Sequence, residues 1–384
     1  MEPLTLDTLR KQIDEADDAL LQAFAERMAV AAEIGKEKKA EGRPIYDPAR
    51  ERQKLNDIVR RLPPELEQYG ASLYSFLFAL SRSYQSDGRT GPSPLRQEIE
   101  QALAATPALF PPTATVACQG VEGAYSQLAC EKLFKRPEIQ YFRSFEAVFS
   151  AIESGFCDFG VLPVENSTAG SVKEVYDLMG RHRFHIVRAV RLKIDHALVA
   201  RPGVALADVH EVFSHPQAIG QCGAFLEKLG RDVVITPCEN TAQAAALVAA
   251  SGRTDVAAIS SPTCAELYGL DVLAQDIQDR SNNYTRFICI AKDMQIYPGA
   301  DKTSLALVLP HRPGALYQAL SRFYALGLNL TKLESRPLPD REFEFLFYFD
   351  LETSVYSDEF IRLMDDLDGL AKEFQYLGSY HEVM

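Results

Sequence analysis

From Leu4 to about Ala40 the chain runs without proline, and Leu6, Leu9, Ile13, Ala16, Leu20, Phe24, Ala31 and Ile34 fall on one stripe of a long helix. At 1.5 Å per residue that helix is about 55 Å long, too long to bury its stripe alone. It is expected to pack against other helices, including those of a second copy of the chain. Gly42-Arg43-Pro44 ends it, Asp47-Pro48 opens a second helix as N-cap and first turn, and a third spans about Glu65 to Gln85. Ser86 to Pro94 is polar and turn-forming and reads as a linker, followed by a short helical pattern from Leu95 to Ala105. From Thr113 to about Asp293 short apolar runs alternate with helical patterns. Lys302 to Met384 reads strand, helix, strand, strand, helix, strand, with Phe343, Phe345, Phe347 and Phe349 alternating onto one predicted core face.

Composition narrows the class. The 384 residues carry a formal charge of −13, with 47% hydrophobic and 24% charged side chains. That is an ordinary globular composition, and its acidity argues against a nucleic-acid partner. No apolar run reaches transmembrane length and none looks like a signal peptide, so the expectation is a cytoplasmic protein without a membrane partner. The seven cysteines include no C-x-x-C pair, which suits reduced thiols. No metal-ligand spacing is present, and the glycines at 120 and 123 do not fit a dinucleotide loop, so no metal and no cofactor is expected.

Candidate chemistry concentrates in two regions. In the first, Arg27 interrupts the apolar stripe midway between Leu20 and Ile34, while Arg10 and Lys38 lie at its edge. An unpaired charge inside a bundle is costly, so Arg27 calls for an anion. In the second, the apolar run Phe159 to Val164 turns into Glu165-Asn166-Ser167-Thr168, which precedes the helix Val172 to Met179. A helix cap needs one such residue and this loop supplies several, favouring a binding loop for a small polar anion at a strand end. Ser214-His215-Pro216-Gln217, Glu239-Asn240-Thr241 and Thr285-Arg286 also lie at strand ends. Singly each has an ordinary role as a cap or turn; together they favour a site between two lobes.

The helix, Asp-x-x-Arg-Glu helix and Ser-x-x-x-Gln helix of residues 1–87 resemble the all-helical chorismate mutases. That resemblance implies a site lined by Arg10, Arg27, Lys38, Asp47, Arg50, Glu51, Ser81 and Gln85, with Arg10 reaching into a partner subunit. The arginines would hold the substrate carboxylates. Lys38 and Gln85 would donate to the breaking ether oxygen and Glu51 would accept from the substrate hydroxyl. The segments Gly120–Ser126, Glu165–Thr168, Ser214–Gln217, Glu239–Thr241 and Asn283–Phe287 resemble prephenate dehydratase, except that Val121 replaces a frequent proline. This implies two α/β lobes with Thr285 central to activity. Thr285 is the candidate leaving-group donor. Glu165, Asn166, Ser167, Thr168, Ser214, His215, Gln217, Glu239, Thr241 and Arg286 are candidates for holding or orienting the substrate.

The C-terminal order is a ferredoxin-like split βαβ. Gly314-Ala315-Leu316, Asn329-Leu330 and Glu334-Ser335-Arg336 resemble a regulatory ACT domain that senses phenylalanine, with Tyr317 where the family usually has valine. Taken alone, Glu334 and Arg336 would pass for a surface ion pair. The resemblance places the effector pocket where Gly314 to Leu316 and Asn329-Leu330 meet a second subunit, and implies that removing 302–384 leaves a dehydratase indifferent to phenylalanine. The expected architecture is multidomain: an all-α mutase domain over 1–90, a linker over 91–112, a bilobal α/β dehydratase domain over 113–293, and an α+β ACT domain over 302–384. The whole resembles the bifunctional chorismate mutase–prephenate dehydratases, which implies chorismate and prephenate as substrates, phenylalanine as effector, no cofactor, and a homodimer or homotetramer. Arogenate as substrate, or a non-catalytic metabolite sensor, are the alternatives.

Overall fold

The computed structural model describes residues 5–86, 94–230, 232–338, 341–357, 360, 363–364, 367 and 370–384. Residues 87–93 of the expected linker and most of the expected last helix lie outside the described residues, and the rest of the expected linker contains the helix Pro94–Ala105. The chain divides into two compact units: Met1–Gln97 with Pro310–Gly327 and Asp358–Ala371, and Glu98–Leu309 with Leu328–Ser357 and Lys372–Met384.

The first unit contains three long helices, α1 (Leu6–Ala40), α2 (Pro48–Val59) and α3 (Glu67–Ser86), together with the helix Ala315–Ala325. Thr5 caps α1 by accepting from the Thr8 N–H at 3.3 Å, and Lys38 and Lys39 in its last turn complement the helix dipole. Asp47 caps α2 by accepting from the Arg50 N–H at 3.0 Å. Small residues let these helices meet: Ala31 and Gly35 of α1 are buried, and a Cβ on Gly35 would lie 3.1 Å from Gln85 Cβ of α3. The amino-terminal half of the α1 stripe is uncovered, with Leu6 64%, Ile13 62% and Leu20 56% exposed.

The second unit holds three sheets. The chain first lays down β1 (Thr113–Gln119), β2 (Arg136–Phe142), β3 (Phe159–Asn166), the short β4 (Gly170–Ser171) and β5 (His185–Lys193). It then forms a separate five-stranded sheet from β6 (Ala197–Ala200), β7 (Glu211–Ser214), β8 (Val234–Pro237), β9 (Val256–Ser260) and β10 (Asp271–Ala274), ordered β10-β6-β9-β7-β8. β11 (Tyr284–Ala291) returns to the first sheet and runs antiparallel between β3 and β5. This double crossing makes two α/β lobes. β12 (Lys302–Val308), β13 (Asn329–Pro337), β14 (Phe345–Glu352) and β15 (Glu373–Tyr380) form an antiparallel sheet ordered β13-β14-β12-β15, the order of a ferredoxin-like sheet. β16 (Glu382–Val383) then pairs with the outer edge of β5.

One continuous core joins the first lobe to the third sheet: Val148, Phe149, Leu162 and Ile288 pack with Ala306, Val308, Leu346, Tyr348 and Leu377. The face of β14 that covers the lobe is thus Leu346 and Tyr348, the opposite parity from the phenylalanines. Of those four, Phe349 is fully buried, whereas Phe343 precedes the strand at φ +58° and is 74% exposed. The expectation that all four are core fails at that end.

β15 crosses β5 so closely that a Cβ on Gly378, at φ +139°, would sit 2.2 Å from the Ile186 carbonyl oxygen. Only glycine tolerates both the backbone conformation and the approach. Gly378→Ala is therefore expected to destabilise the second unit by about 2 kcal/mol or more. Urea unfolding measures this, and an unchanged midpoint would show that the two strands are not in such contact.

Candidate active site

Two groups of side chains carry the candidate chemistry. In the first unit, α1 and α3 face each other through Arg27, whose Nη1 donates to Ser81 Oγ and, at 3.4 Å, to the Leu77 carbonyl. Burial pulls the Arg27 pKa below its ordinary value, and Tyr74 and Glu51 offset part of that. Nearby, Gln85 Oε1 is buried with no hydrogen-bond partner among the described residues. Lys38 Nζ donates to the Ile45 carbonyl at 2.6 Å, and Glu51 is held by Arg82 of α3. Arg82 also lies over the Tyr46 ring, 5.1 Å from its centroid, and Arg312 of the same unit lies 5.2 Å from it.

The structure thus draws Arg27, Ser81, Gln85, Glu51 and Lys38 to the faces between three helices. Asp47 is occupied as a helix cap. Arg50 is exposed, and Arg10 is exposed beside Asp7 at 3.4 Å. Arg82 was missed from sequence. The available signal was its place between Ser81 and Gln85; its pairing with Glu51 is seen only in the fold.

In the second unit a cleft of about 440 Å³ is lined by Asn166, His215, Gln217, Glu239, Thr241 and Thr285. Ser126, His196, Gln221 and Asn240 line it too. β11 aims Thr285 and Phe287 into the cleft, because alternate strand residues share a face. The Thr285 hydroxyl oxygen accepts from Asn166 Nδ2 at 2.9 Å, and Asn166 Nδ2 also donates to Asn283 Oδ1 at 2.8 Å. Asn166 Oδ1 accepts from the backbone N–H groups of Thr168 and Ala169 at 3.0 and 2.9 Å. Asn283 Nδ2 donates to Gln221 Oε1 at 2.9 Å, and His196 Nε2 lies 2.9 Å from the same oxygen. His215 caps its helix through Nδ1, which accepts from the Gln217 N–H at 3.2 Å. Burial of His196 and His215 holds both imidazoles below their usual pKa and so favours the neutral form.

Several sequence candidates lie elsewhere. Arg286, one residue beyond Thr285, takes the opposite face of β11. Its guanidinium meets Asp350 at 2.5 Å and the Tyr380 hydroxyl at 2.6 Å, with Glu382 as an ion pair at 2.8 Å. Burial opposes its charge, yet Tyr380, Asp350 and Glu382 together keep its pKa above the ordinary value. Ser214 is fully buried and donates to the Ile259 carbonyl at 2.8 Å. Ser167 Oγ braces the Asn282 carbonyl and the Tyr284 N–H, and Thr168 contributes its backbone. Glu165 points away from the cleft to Lys332 at 2.8 Å. These five therefore build the walls of the site and do not face its interior. Conversely, His196, Gln221 and Asn283 were not assigned from sequence. A histidine at the head of the apolar run Ala197–Ala200 was the available signal.

The C-terminal candidates divide between the units. In the first, Gly314 at φ +79° opens the helix that begins at Ala315 and Leu316. In the second, Asn329 donates to Glu352 at 2.6 Å, and Leu330 follows it on β13. Glu334 accepts from Ser171 Oγ at 2.7 Å, and Arg336 clamps Asp177 at 2.7 and 2.8 Å, with Ser335 exposed between them. Lys332 also donates to Ser171 Oγ at 2.7 Å. Glu334 and Arg336 are thus not an isolated surface pair: they tie β13 to β4 and the helix after it. Among the described residues no helix is long and apolar enough to cross a membrane, and all seven cysteines are free thiols.

The family model for chorismate mutase type II matches residues 9–86, and that for prephenate dehydratase matches residues 116–295. The bifunctional chorismate mutase/prephenate dehydratase of Escherichia coli (strain K12) is 32% identical over 380 residues, which is 97% of this chain and 95% of that protein. Arogenate dehydratase 2 of Petunia hybrida is 40% identical over 314 residues, covering 77% of this chain and 79% of its own. Among solved structures, prephenate dehydratase from Arthrobacter aurescens in complex with L-Phe matches with a TM-score of 0.64 at 28% identity, over 70% of this chain and 90% of that one.

Proposed function

The chain belongs to the bifunctional chorismate mutase–prephenate dehydratase family, and we propose that the two groups of side chains described above carry its two reactions. Residues 1–90 rearrange chorismate to prephenate. Residues 113–293 remove water and carbon dioxide from prephenate to leave phenylpyruvate, and 302–384 sense phenylalanine.

For the rearrangement, the protein's task is to hold a dicarboxylate in its reactive conformer and to stabilise the ether oxygen as it becomes negative. Arg27 is the partly desolvated cation for a carboxylate, and the Gln85 side-chain N–H is the donor for the ether oxygen, with Lys38 as a second donor. Glu51, oriented by Arg82, accepts from the substrate hydroxyl. The uncovered stripe of α1 and the exposed Arg10 support a homodimer in which each α1 completes the partner's bundle. The free thiols suit the cytoplasm.

For the dehydration, the carboxylate C–C bond breaks, its electron pair enters the ring, and the ring C–O bond breaks as hydroxide leaves. The observation that carries the assignment is the Thr285–Asn166 hydrogen bond. Because Asn166 donates to the threonine oxygen, the hydroxyl proton is free to point into the cleft and meet the leaving hydroxide. Among the described residues the side chains lining the cleft include no lysine or arginine, so the substrate's charge falls to neutral donors and to helix starts. The helix Tyr125–Leu133 opens there behind Ala124, whose side chain makes no cap, and Ser126 stands in its first turn. Arogenate would place an ammonium where prephenate has its keto oxygen. Glu239 in the lining is the acceptor that favours it, so turnover of both substrates is to be compared.

Phenylalanine would act through β13. Lys332, Glu334 and Arg336 share the inward face of that strand, and Lys332 and Glu334 converge on Ser171, which itself lines the cleft. An effector that shifts β13 thereby shifts the cleft wall. Truncation bears on the same cluster: removing 302–384 would take Asp350, Tyr380 and Glu382 with it and strip Arg286 of its partners and of the sheet that covers it.

Three outcomes are expected. Thr285→Val lowers dehydratase turnover by about 10²-fold or more, the scale of general-acid assistance, and Thr285→Ser keeps part of it; equal, mild losses in both would make Thr285 a packing residue. Arg27→Ala abolishes turnover of chorismate and leaves that of supplied prephenate largely intact; a parallel fall of both in a folded protein would sink the two-site assignment. Phenylalanine lowers dehydratase activity of the intact chain, and Lys332→Met weakens that inhibition several-fold in inhibition curves. Calorimetry showing no phenylalanine binding would end the regulatory reading.

A further inference from the structure

We propose that Gln221 and His196 are positioning residues for the Thr285 hydroxyl, held in a single hydrogen-bond polarity by two backbone N–H groups of the cleft loop. This rests on the Thr285 reading above. Donor and acceptor are unambiguous at the backbone of the cleft loop. The N–H groups of Thr168 and Ala169 can only donate, so the atom of Asn166 that faces them is the oxygen. The amide nitrogen of Asn166 must then face Thr285 and Asn283. Since it donates, the Asn283 atom opposite it is oxygen, and the Asn283 nitrogen is left to donate to Gln221. The Gln221 atom between Asn283 and His196 is therefore oxygen, and His196 must carry its proton on Nε2 to reach it. Each link fixes the next, and the chain of polarity runs from a backbone turn to the tautomer of a histidine.

The relay also crosses the fold. Asn166 and Thr285 stand on β3 and β11 of the first lobe, while Gln221 ends the helix Pro216–Gln221 of the second and His196 precedes β6. The position of the second lobe thus bears on how the Asn166 amide is held against Thr285. The main-chain N–H of His196 is itself pinned by Gln278 Oε1 at 2.9 Å. Without Gln221, Asn283 loses its acceptor and can rotate, Asn166 loses a fixed partner, and the Thr285 proton loses its direction. His196 Nδ1, a lone pair with no partner among the described residues, follows from the same polarity.

The test uses the full chain and two readouts. In steady-state kinetics on prephenate, Gln221→Leu should lower kcat by about 10- to 100-fold, the range a small misplacement of a reacting group produces, with a smaller change in KM. Gln221→Glu keeps acceptor oxygens for Asn283 and His196 and gives up only the long 3.5 Å bond from Gln221 Nε2 to Asn166 Oδ1, so it should recover at least several-fold over Gln221→Leu. In nitrogen-15 spectra, the His196 signal, assigned by its loss in His196→Asn, should show the Nε2–H tautomer in the wild type and a mixture in Gln221→Leu. A wild-type Nδ1–H tautomer overturns the relay, as does a Gln221→Leu enzyme with unchanged kcat or with losses equal to those of Gln221→Glu. The two readings separate cleanly. If Thr285→Val is inactive while Gln221→Leu keeps full kcat, the relay falls and Thr285 stands. If Thr285→Val keeps turnover, Thr285 falls and the proposed role of the relay with it, whatever the tautomer shows.

Discussion

A guanidinium inside the second unit must be neutralised, and much of the architecture follows from how that is done. Arg286 is only 8% exposed, and it is met by Asp350 from β14, Glu382 from β16 and the Tyr380 hydroxyl from β15. Taking such charges out of water costs several kcal/mol per ion unless each is paired and hydrogen-bonded. The pairing is extended outward: Arg191 and Lys302 also reach Glu382 at 2.7 and 3.2 Å, and Ser304 bonds both Asp350 and Tyr380. One ionic cluster thereby fastens the third sheet to β11. The next residue back along that strand is Thr285, so the cluster and the cleft share a single backbone.

The two halves of the chemistry meet opposite electrostatic problems. In the helical unit a cation is partly withdrawn from water, which raises its attraction for an anionic ligand as it lowers its own pKa. In the cleft the lining is nearly all neutral, and an anion would be met by dipoles: amides, hydroxyls and backbone N–H groups. An excess of thirteen negative charges over the whole chain is compatible with both, because each site is decided within a few ångströms.

What could be read from the sequence follows the range of the interactions involved. The long stripe of α1, the Asp47-Pro48 start of α2 and the strand–loop–helix at Phe159 to Met179 are local, and the structure has them at those places. Strand parity was also local, yet it was not applied to Arg286: with Thr285 facing the cleft, its neighbour had to face away. The same parity misled at Phe343, where a residue of positive φ precedes the strand and breaks the alternation. Lys332, Glu334 and Arg336 alternate visibly along β13, but their partners Glu165, Ser171 and Asp177 lie far away in sequence, and only the packing of the two sheets names them. Gln221 and His196 were illegible for a similar reason. Each has an ordinary local environment, and their meaning arises from Asn283 and Asn166 across the cleft.

The edge strand β16 has a consequence for the order in which the molecule is made. Residues 382 and 383 complete the outer edge of a sheet whose other strands end at Ala291, and Glu382 is the last carboxylate to reach Arg286. On the ribosome the first lobe emerges before that carboxylate and Asp350 exist, and with the third sheet also still to come its arginine is left to water. The buried arrangement of Arg286 is complete only after the polypeptide has passed Glu382. Until then the outer edge of β5 has no strand beside it, and the last edge pairing of the first lobe waits on the C-terminal segment.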